Sequence, residues 1–175
     1  HQNKANTNLN KPTPEAGAQV MAQYNRAAFG AKAGAGGLQE LGWEAIPVTG
    51  PMASKIAMIP AAIEAGFGEL GKHGSIINPE FGSSFRLSAV LTDAPIATTP
   101  KRDHGVDGFC QACRICEDAC PPFAINSEKK MVRGDEKWYV DFDKCMPYFG
   151  ETLACGICLA KCPWSRPGLP DRLLE

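Results

Sequence analysis

The spacing of apolar residues divides the first hundred positions into a few short elements. A polar arm over 1–14 is followed by small and apolar residues at helical spacing, which predict a helix from Glu15 to about Leu41. Glycines in the second half of that stretch weaken the helix, so the pattern does not define the residue at which the helix ends. The segment 43–48 predicts a short strand, because it is apolar and a Thr-Gly-Pro turn follows it.

Glycine and proline residues separate the next predicted elements. A second helix is predicted over 53–65, and the glycine-rich stretch 67–74 predicts a loop. Strict alternation over 84–92 predicts a strand, with Arg86 on the face opposite Phe85. Residues 93–108 carry prolines and charges and are expected to form a linker.

Composition and charge narrow the functional classes. With 175 residues, 44% of them hydrophobic, the chain can form a packed core, as one domain or two small ones. The net charge of -1 excludes the excess of basic residues that a nucleic-acid-binding surface has. No membrane span is expected, since the longest apolar run covers only 56–63. No secretory signal opens the chain, and because it starts at His1 we expect a processed, truncated or partial chain.

All eight cysteines lie between Cys110 and Cys162. Their clustering indicates metal binding, since disulfide scaffolds spread their bridges along the domain. Two blocks have a spacing typical of paired [4Fe–4S] clusters, in which the cysteine before a proline ligates the other cluster. This crossed pattern predicts one cluster on Cys110, Cys113, Cys116 and Cys162, and a second on Cys145, Cys155, Cys158 and Cys120.

Other uses of the cysteines fit the spacing less well. Two zinc ions would more commonly be held by paired C-x2-C units, and four disulfides would leave Cys113 and Cys116 poorly placed. A [3Fe–4S] cluster would require a missing ligand, and both sets are complete.

Two longer stretches carry a family resemblance. The first runs from 65–74 (AGFGELGKHG) through 78–87 (NPEFGSSFRL) to 91–95 (LTDAP), and the second joins 155–158 (CGIC) to 162–168 (CPWSRPG). Together they resemble the C-terminal half of corrinoid-dependent reductive dehalogenases, to which epoxyqueuosine reductase is related. The likeness covers roughly residues 20–170.

The resemblance implies an α+β fold in two parts. A partial nitroreductase-like core over 15–100 would bind base-off cobalamin, and a bacterial-ferredoxin-like domain with two [4Fe–4S] clusters would follow over 101–175. Family members carry a long N-terminal portion that helps to enclose the corrinoid, so a missing N-terminal region or a partner chain would complete the site.

The resemblance also implies catalytic and cofactor residues. Tyr24 corresponds to the family's proton donor and Arg86 to the basic residue that eases loss of its proton. An ordinary half-buried tyrosine and a surface arginine are the alternatives. Corrinoid contacts are expected at Gly68, Gly71, Lys72, His73, Ser83 and Ser84, where glycines allow close approach; a structural Lys-His pair and a polar serine turn are the alternatives.

The implied function is reductive dehalogenation. Electrons from a ferredoxin, flavodoxin, reductase or membrane quinol system would pass through the clusters to cobalamin, which would reduce a small organohalide. A non-catalytic electron-transfer subunit is the main alternative. Epoxyqueuosine reduction is another, although the chain has neither a basic surface nor any aspartate before Asp93. Location in the cytoplasm and location on the outer membrane face after Tat export both fit the family.

Overall fold

The computed structural model describes residues 13–50 and 55–166 as a mixture of helices and short strands. The helices are α1 (Pro14–Glu40), α2 (Met58–Glu64), α3 (Val106–Ala112), α4 (Ile115–Asp118), α5 (Phe142–Glu151) and α6 (Ile157–Lys161), followed by a 3-10 turn at Pro163–Ser165. The strands are β1 (Ala45–Val48), β2 (Glu69–Leu70), β3 (Ile76–Ile77), β4 (Ala89–Thr92), β5 (Lys130–Val132) and β6 (Asp135–Lys137).

The long first helix confirms the prediction from apolar spacing. The Thr13 hydroxyl accepts a hydrogen bond from the Ala16 amide at 3.2 Å and caps the amino end, and Pro14 occupies the first turn. Small residues, including Ala31 and Ala35, form the buried face. Close packing through these residues lets α1 lie against β1 and β4.

Strands β1 and β4 form an antiparallel pair in which Ile46 lies opposite Leu91. The predicted first strand is confirmed with a later start, whereas the strand predicted over 84–92 is wrong for its first five residues. Those residues follow Ser83, whose amide donates to the Ser165 hydroxyl at 3.0 Å in the last third of the chain. This tertiary contact prevents the alternating pattern from forming ladder hydrogen bonds.

The loop predicted over 67–74 is wrong in part, because β2 and β3 form a small hairpin that uses Glu69 and Leu70. A Cβ at Gly68 would collide with the backbone of Ile77, and one at Gly71 would lie 2.6 Å from the Ile77 side chain. The glycines therefore bring the hairpin close around the fully buried Ile77.

One core joins the two halves of the chain. Ile77 packs with Val106, Trp138 and Trp164, and Cys110 and Cys162 belong to the same cluster of buried side chains. The second predicted helix is observed at Met58–Glu64. Positions 53–54 of that prediction lie outside the described residues, as does nearly all of the polar arm. Throughout the described ranges, no helix has the length and apolarity needed to cross a bilayer.

Candidate functional site

The first group of thiols gathers around helices α3 and α4. Cys116 lies within electrostatic range of Cys110, Cys113 and Cys162. Burial, the larger cause, and these neighbouring thiols raise the pKa of Cys116 to about 12. The structure therefore brings together the four cysteines that the spacing assigns to one cluster.

The second group surrounds a small cavity of about 60 Å³. Its wall contains Cys120, Cys145, Cys155 and Cys158. Burial, followed by the charges of Cys155, Cys116 and Cys120, raises the pKa of Cys158 to about 12. Because Cys116 acts on Cys158, the two groups of thiols are neighbours.

This arrangement fits iron–sulfur clusters better than isolated ions. Within the described ranges, no three His, Cys, Asp or Glu side chains converge on a point that could hold one metal ion. In a cubane cluster each thiolate binds a different iron atom, so the four sulfurs stand around a volume. Thiols with raised pKa values give up their protons when iron binds them, because the metal stabilises the thiolate.

Hydrogen-bond donors reach the sulfurs from both halves of the chain. The Lys72 amide donates to Cys110. The Ser83 hydroxyl donates to the Leu159 carbonyl oxygen at 3.3 Å, and its interaction with Cys162 lowers the pKa of that thiol. The Ala124 amide donates to the Cys120 sulfur at 3.4 Å. Such bonds stabilise negative charge on the sulfurs and thereby affect the reduction potential of a bound cluster.

Lys72 is a buried cation beside the first group of thiols. Only 1% of its surface is exposed, and its Nζ lies 4.9 Å from the centre of the Trp138 ring and 4.0 Å from Glu117 Oε2. Neither partner was singled out as functional by the sequence, where Glu117 has the appearance of an ordinary helix-surface acid. Only the tertiary contact shows that this acid faces a buried lysine.

His73, the next residue, faces the second group. It lines the cavity that contains the four thiols, and burial lowers its pKa to about 4, so the imidazole is neutral. Its Nδ1 accepts a hydrogen bond from the Ser75 amide at 3.2 Å. Its buried Nε2 has no hydrogen-bond partner among the described residues.

The residues expected to contact a corrinoid are mostly enclosed by protein. Ser83 and Ser84 are 2% and 1% exposed, and both hydroxyls lie within hydrogen-bonding distance of the Ser165 hydroxyl. Gly68 and Gly71 pack against Ile77, as described above. In this arrangement these residues and Lys72 are enclosed by protein, and their contact with a corrinoid stays a prediction.

A larger cavity of about 680 Å³ lies between α2, the β2–β3 hairpin and the β5–β6 hairpin. His73 and Cys145 line both this cavity and the smaller one, so the larger cavity adjoins the second group of thiols. Tyr24 and Arg86 do not line it.

Tyr24 and Arg86 contact each other. The guanidinium carbon of Arg86 lies 4.9 Å from the centre of the Tyr24 ring. Burial lowers the pKa of Arg86, and the negative form of Tyr24 opposes that shift. The structure thus joins two residues that only the family resemblance had paired, one on α1 and one on the segment before β4.

Comparison with known proteins agrees with these features. The family model of the 4Fe-4S dicluster domain matches residues 109–165, which include all eight cysteines. The tetrachloroethene reductive dehalogenase of Sulfurospirillum multivorans is 33% identical over 138 residues, which are 74% of this chain and 27% of the relative. The structure of the catabolic reductive dehalogenase NpRdhA bound to 3-bromo-4-hydroxybenzoic acid superposes with a TM-score of 0.88 at 28% identity, covering 99% of this chain and 26% of that one.

The chain resembles reductive dehalogenases over most of its own length. It spans about a quarter of the length of the dehalogenases that it matches. The mixed helix and strand fold with a ferredoxin-like dicluster domain is therefore confirmed. An epoxyqueuosine reductase from Synechococcus is also related, at 30% identity over 75% of this chain, but the structure of the Streptococcus thermophilus reductase has a TM-score of only 0.54. The fold of this chain is therefore more similar to that of the dehalogenase NpRdhA than to that of the epoxyqueuosine reductase.

Proposed function

We propose that this chain, which resembles reductive dehalogenases, carries electrons through two [4Fe–4S] clusters to a site where Tyr24 supplies a proton to an organohalide. Replacing halogen by hydrogen consumes two electrons and one proton and releases one halide ion. The two cysteine groups supply the electron path, and the phenol of Tyr24 supplies the proton.

The Tyr24–Arg86 contact is the observation that carries this proposal. A phenol gives up its proton more easily when a cation stabilises the phenolate, and Arg86 is the cation at its ring. Because Arg86 is partly buried, water screens its charge less than it would screen a surface arginine. The contact therefore places a positive charge where it would stabilise the phenolate that is left after proton transfer.

The proton donor also lies near the proposed clusters. Arg86 follows Ser83 by three residues, so their Cα atoms are at most about 11 Å apart even in a fully extended chain. The Ser83 side chain in turn interacts with the Cys162 thiol of the first group. Electrons arriving at that cluster and the proton from Tyr24 would therefore reach the same part of the molecule.

A corrinoid would supply the metal centre that passes electrons to the carbon–halogen bond. One related dehalogenase structure is described as B12-dependent, and a relative from Sulfurospirillum acts on tetrachloroethene. Lys72, Ser83 and Ser84, which the family resemblance assigns to the corrinoid, also contact the dicluster domain. The substrate class we propose is small organohalides, and the electron donor is a low-potential redox protein or quinol system.

A purely electron-carrying role is the competing function. It would need the clusters and would have no use for a tyrosine held against a buried arginine. Reduction of epoxyqueuosine on tRNA is disfavoured because the chain has a net charge of -1 and would repel a phosphate backbone.

The test uses the chain together with the N-terminal region or partner chain that would complete the corrinoid site, purified without oxygen and supplied with iron, sulfide and cobalamin. We expect corrinoid absorption bands in the gel-filtered protein and halide release from tetrachloroethene or 3-bromo-4-hydroxybenzoic acid with a chemical reductant. Protein that holds eight irons but retains no corrinoid and releases no halide would instead be an electron carrier.

A further inference from the structure

One ring nitrogen of His73 accepts a hydrogen bond, and the other has no hydrogen-bond partner among the described residues. The Ser75 amide donates to Nδ1, so Nδ1 is the unprotonated nitrogen of the neutral ring and the proton resides on Nε2. His73 is only 6% exposed, and its Nε2 has no acceptor among the described residues. A buried N–H without an acceptor costs free energy, which makes it unusual in a folded protein.

The surroundings indicate where the missing acceptor belongs. His73 lines the small cavity that is walled by Cys120, Cys145, Cys155 and Cys158. Apart from Tyr148, the remaining lining consists of proline, isoleucine and valine side chains such as Ile125 and Val140, which accept no hydrogen bond. Sulfur atoms of a bound cluster are good acceptors because they carry negative charge.

We propose that the Nε2–H group of His73 donates a hydrogen bond to a sulfur atom of the second cluster and raises the reduction potential of that cluster. The inference rests on the proposed cluster at Cys120, Cys145, Cys155 and Cys158. A hydrogen bond to sulfur stabilises the more negative reduced cluster more than the oxidised one. His73 thereby makes the second cluster easier to reduce.

The neighbouring residue makes this assignment specific to one cluster. Lys72 directs its amide to Cys110 and its ammonium group toward Glu117, on the side of the first group of thiols. Consecutive residues of one turn, between β2 and β3, thus face different clusters. A substitution at His73 is therefore expected to change the reduction potential of the second cluster and to leave that of the first cluster unchanged.

The experiment measures both cluster potentials by EPR-monitored redox titration of the reconstituted full chain. Cys113→Ala, which removes a ligand of the first group only, identifies the signal of the second cluster. We expect His73→Leu to move the potential of the second cluster to a more negative value and to leave that of the first unchanged. His73→Gln places an amide N–H near the position of Nε2, and we expect it to recover part of the shift.

His104 provides the matched control. Its Nε2 is also buried without a partner, yet His104 does not line the cavity of the thiols. His104→Leu is therefore expected to leave both potentials at their original values. If His73→Leu keeps its iron and its potentials match those of the unmodified chain, the proposed hydrogen bond does not exist.

A second measurement covers the case in which His73→Leu loses iron. In the unmodified chain, labelling histidine with ¹⁵N should produce a nitrogen coupling to the reduced second cluster in pulsed EPR, together with an exchangeable proton. A spectrum without either coupling overturns the proposal. Iron content and visible absorption report on the clusters themselves, so their loss in the unmodified chain would count against the proposed function instead.

Discussion

The guanidinium carbon of Arg86 lies 4.9 Å from the centre of the Tyr24 ring, although 62 positions separate the two residues in the chain. Helix α1 carries the tyrosine, and the segment between Ser83 and β4 carries the arginine. A cation over an aromatic face is held by the ring quadrupole, and partial burial strengthens this attraction. The contact fixes the position of a phenol next to a positive charge.

Removal of the Tyr24 hydroxyl tests its role as an acid. Tyr24→Phe keeps the ring and its contact with Arg86, so we expect unchanged iron content and a turnover lower by about 10²- to 10⁴-fold, the usual contribution of a general acid. Halide release under reducing conditions measures the effect. Tyr139→Phe is the control, because Tyr139 contacts Lys130 and lies away from Arg86; equal turnover in Tyr24→Phe would show that another group donates the proton.

Removal of the positive charge should have a smaller effect. Arg86→Met leaves the phenolic proton in place but removes the cation, so we expect turnover to fall about tenfold, which corresponds to roughly 1.4 kcal/mol. In the double variant with Tyr24→Phe the two losses should not add, because both residues serve one step. Additive losses in the double variant would separate their functions.

The crossed ligand assignment has its own test. Cys120→Ala should lower the iron content by about four atoms per chain and abolish the EPR signal of the second cluster, although Cys120 follows three first-group cysteines in the sequence. Cys162→Ala should abolish the first cluster instead. Iron analysis and EPR distinguish the two variants, and loss of the first cluster alone in Cys120→Ala would contradict the crossed arrangement.

The contact between the two halves of the chain can be tested at Gly82. This residue has a φ angle of +67°, and a Cβ there would collide with the backbone of Trp164 and lie 2.7 Å from Cα of Ser165. We expect Gly82→Ala to lower the free energy of unfolding by about 1–3 kcal/mol, because strain at positive φ adds to the collision.

Gly36 is the matched control for that substitution. It lies within α1, and a Cβ there would meet no atom within 4 Å. Gly36→Ala should therefore stabilise the protein by up to about 1 kcal/mol through helix propensity. Opposite signs in chemical denaturation would confirm that the effect at Gly82 comes from the contact; equal effects would contradict it.

Local patterns in the sequence were sufficient for several elements. Apolar spacing predicted α1, because a long helix depends on the residues within it and on the cap at Thr13. The cysteine spacing predicted which four thiols meet in each group, because in paired-cluster domains the cysteine before the proline ligates the other cluster. The family model of the dicluster domain covers the same residues.

Contacts between distant segments decided the rest. The strand predicted over 84–92 is shortened because Ser83 and Ser84 pack against Ser165, and no pattern within the strand contains that information. For the same reason the glycines at 68 and 71 make room for Ile77, where the sequence had suggested a bulky cofactor.

The sequence by itself determined the identity of the chemical groups in this protein: eight thiols in two blocks, the phenol of Tyr24 and the guanidinium of Arg86. The tertiary structure decided which groups meet, because burial and electrostatic energies depend on distance through space and not along the chain. That is why Arg86 lies over Tyr24, and why Lys72 and His73 face different groups of thiols although they are adjacent.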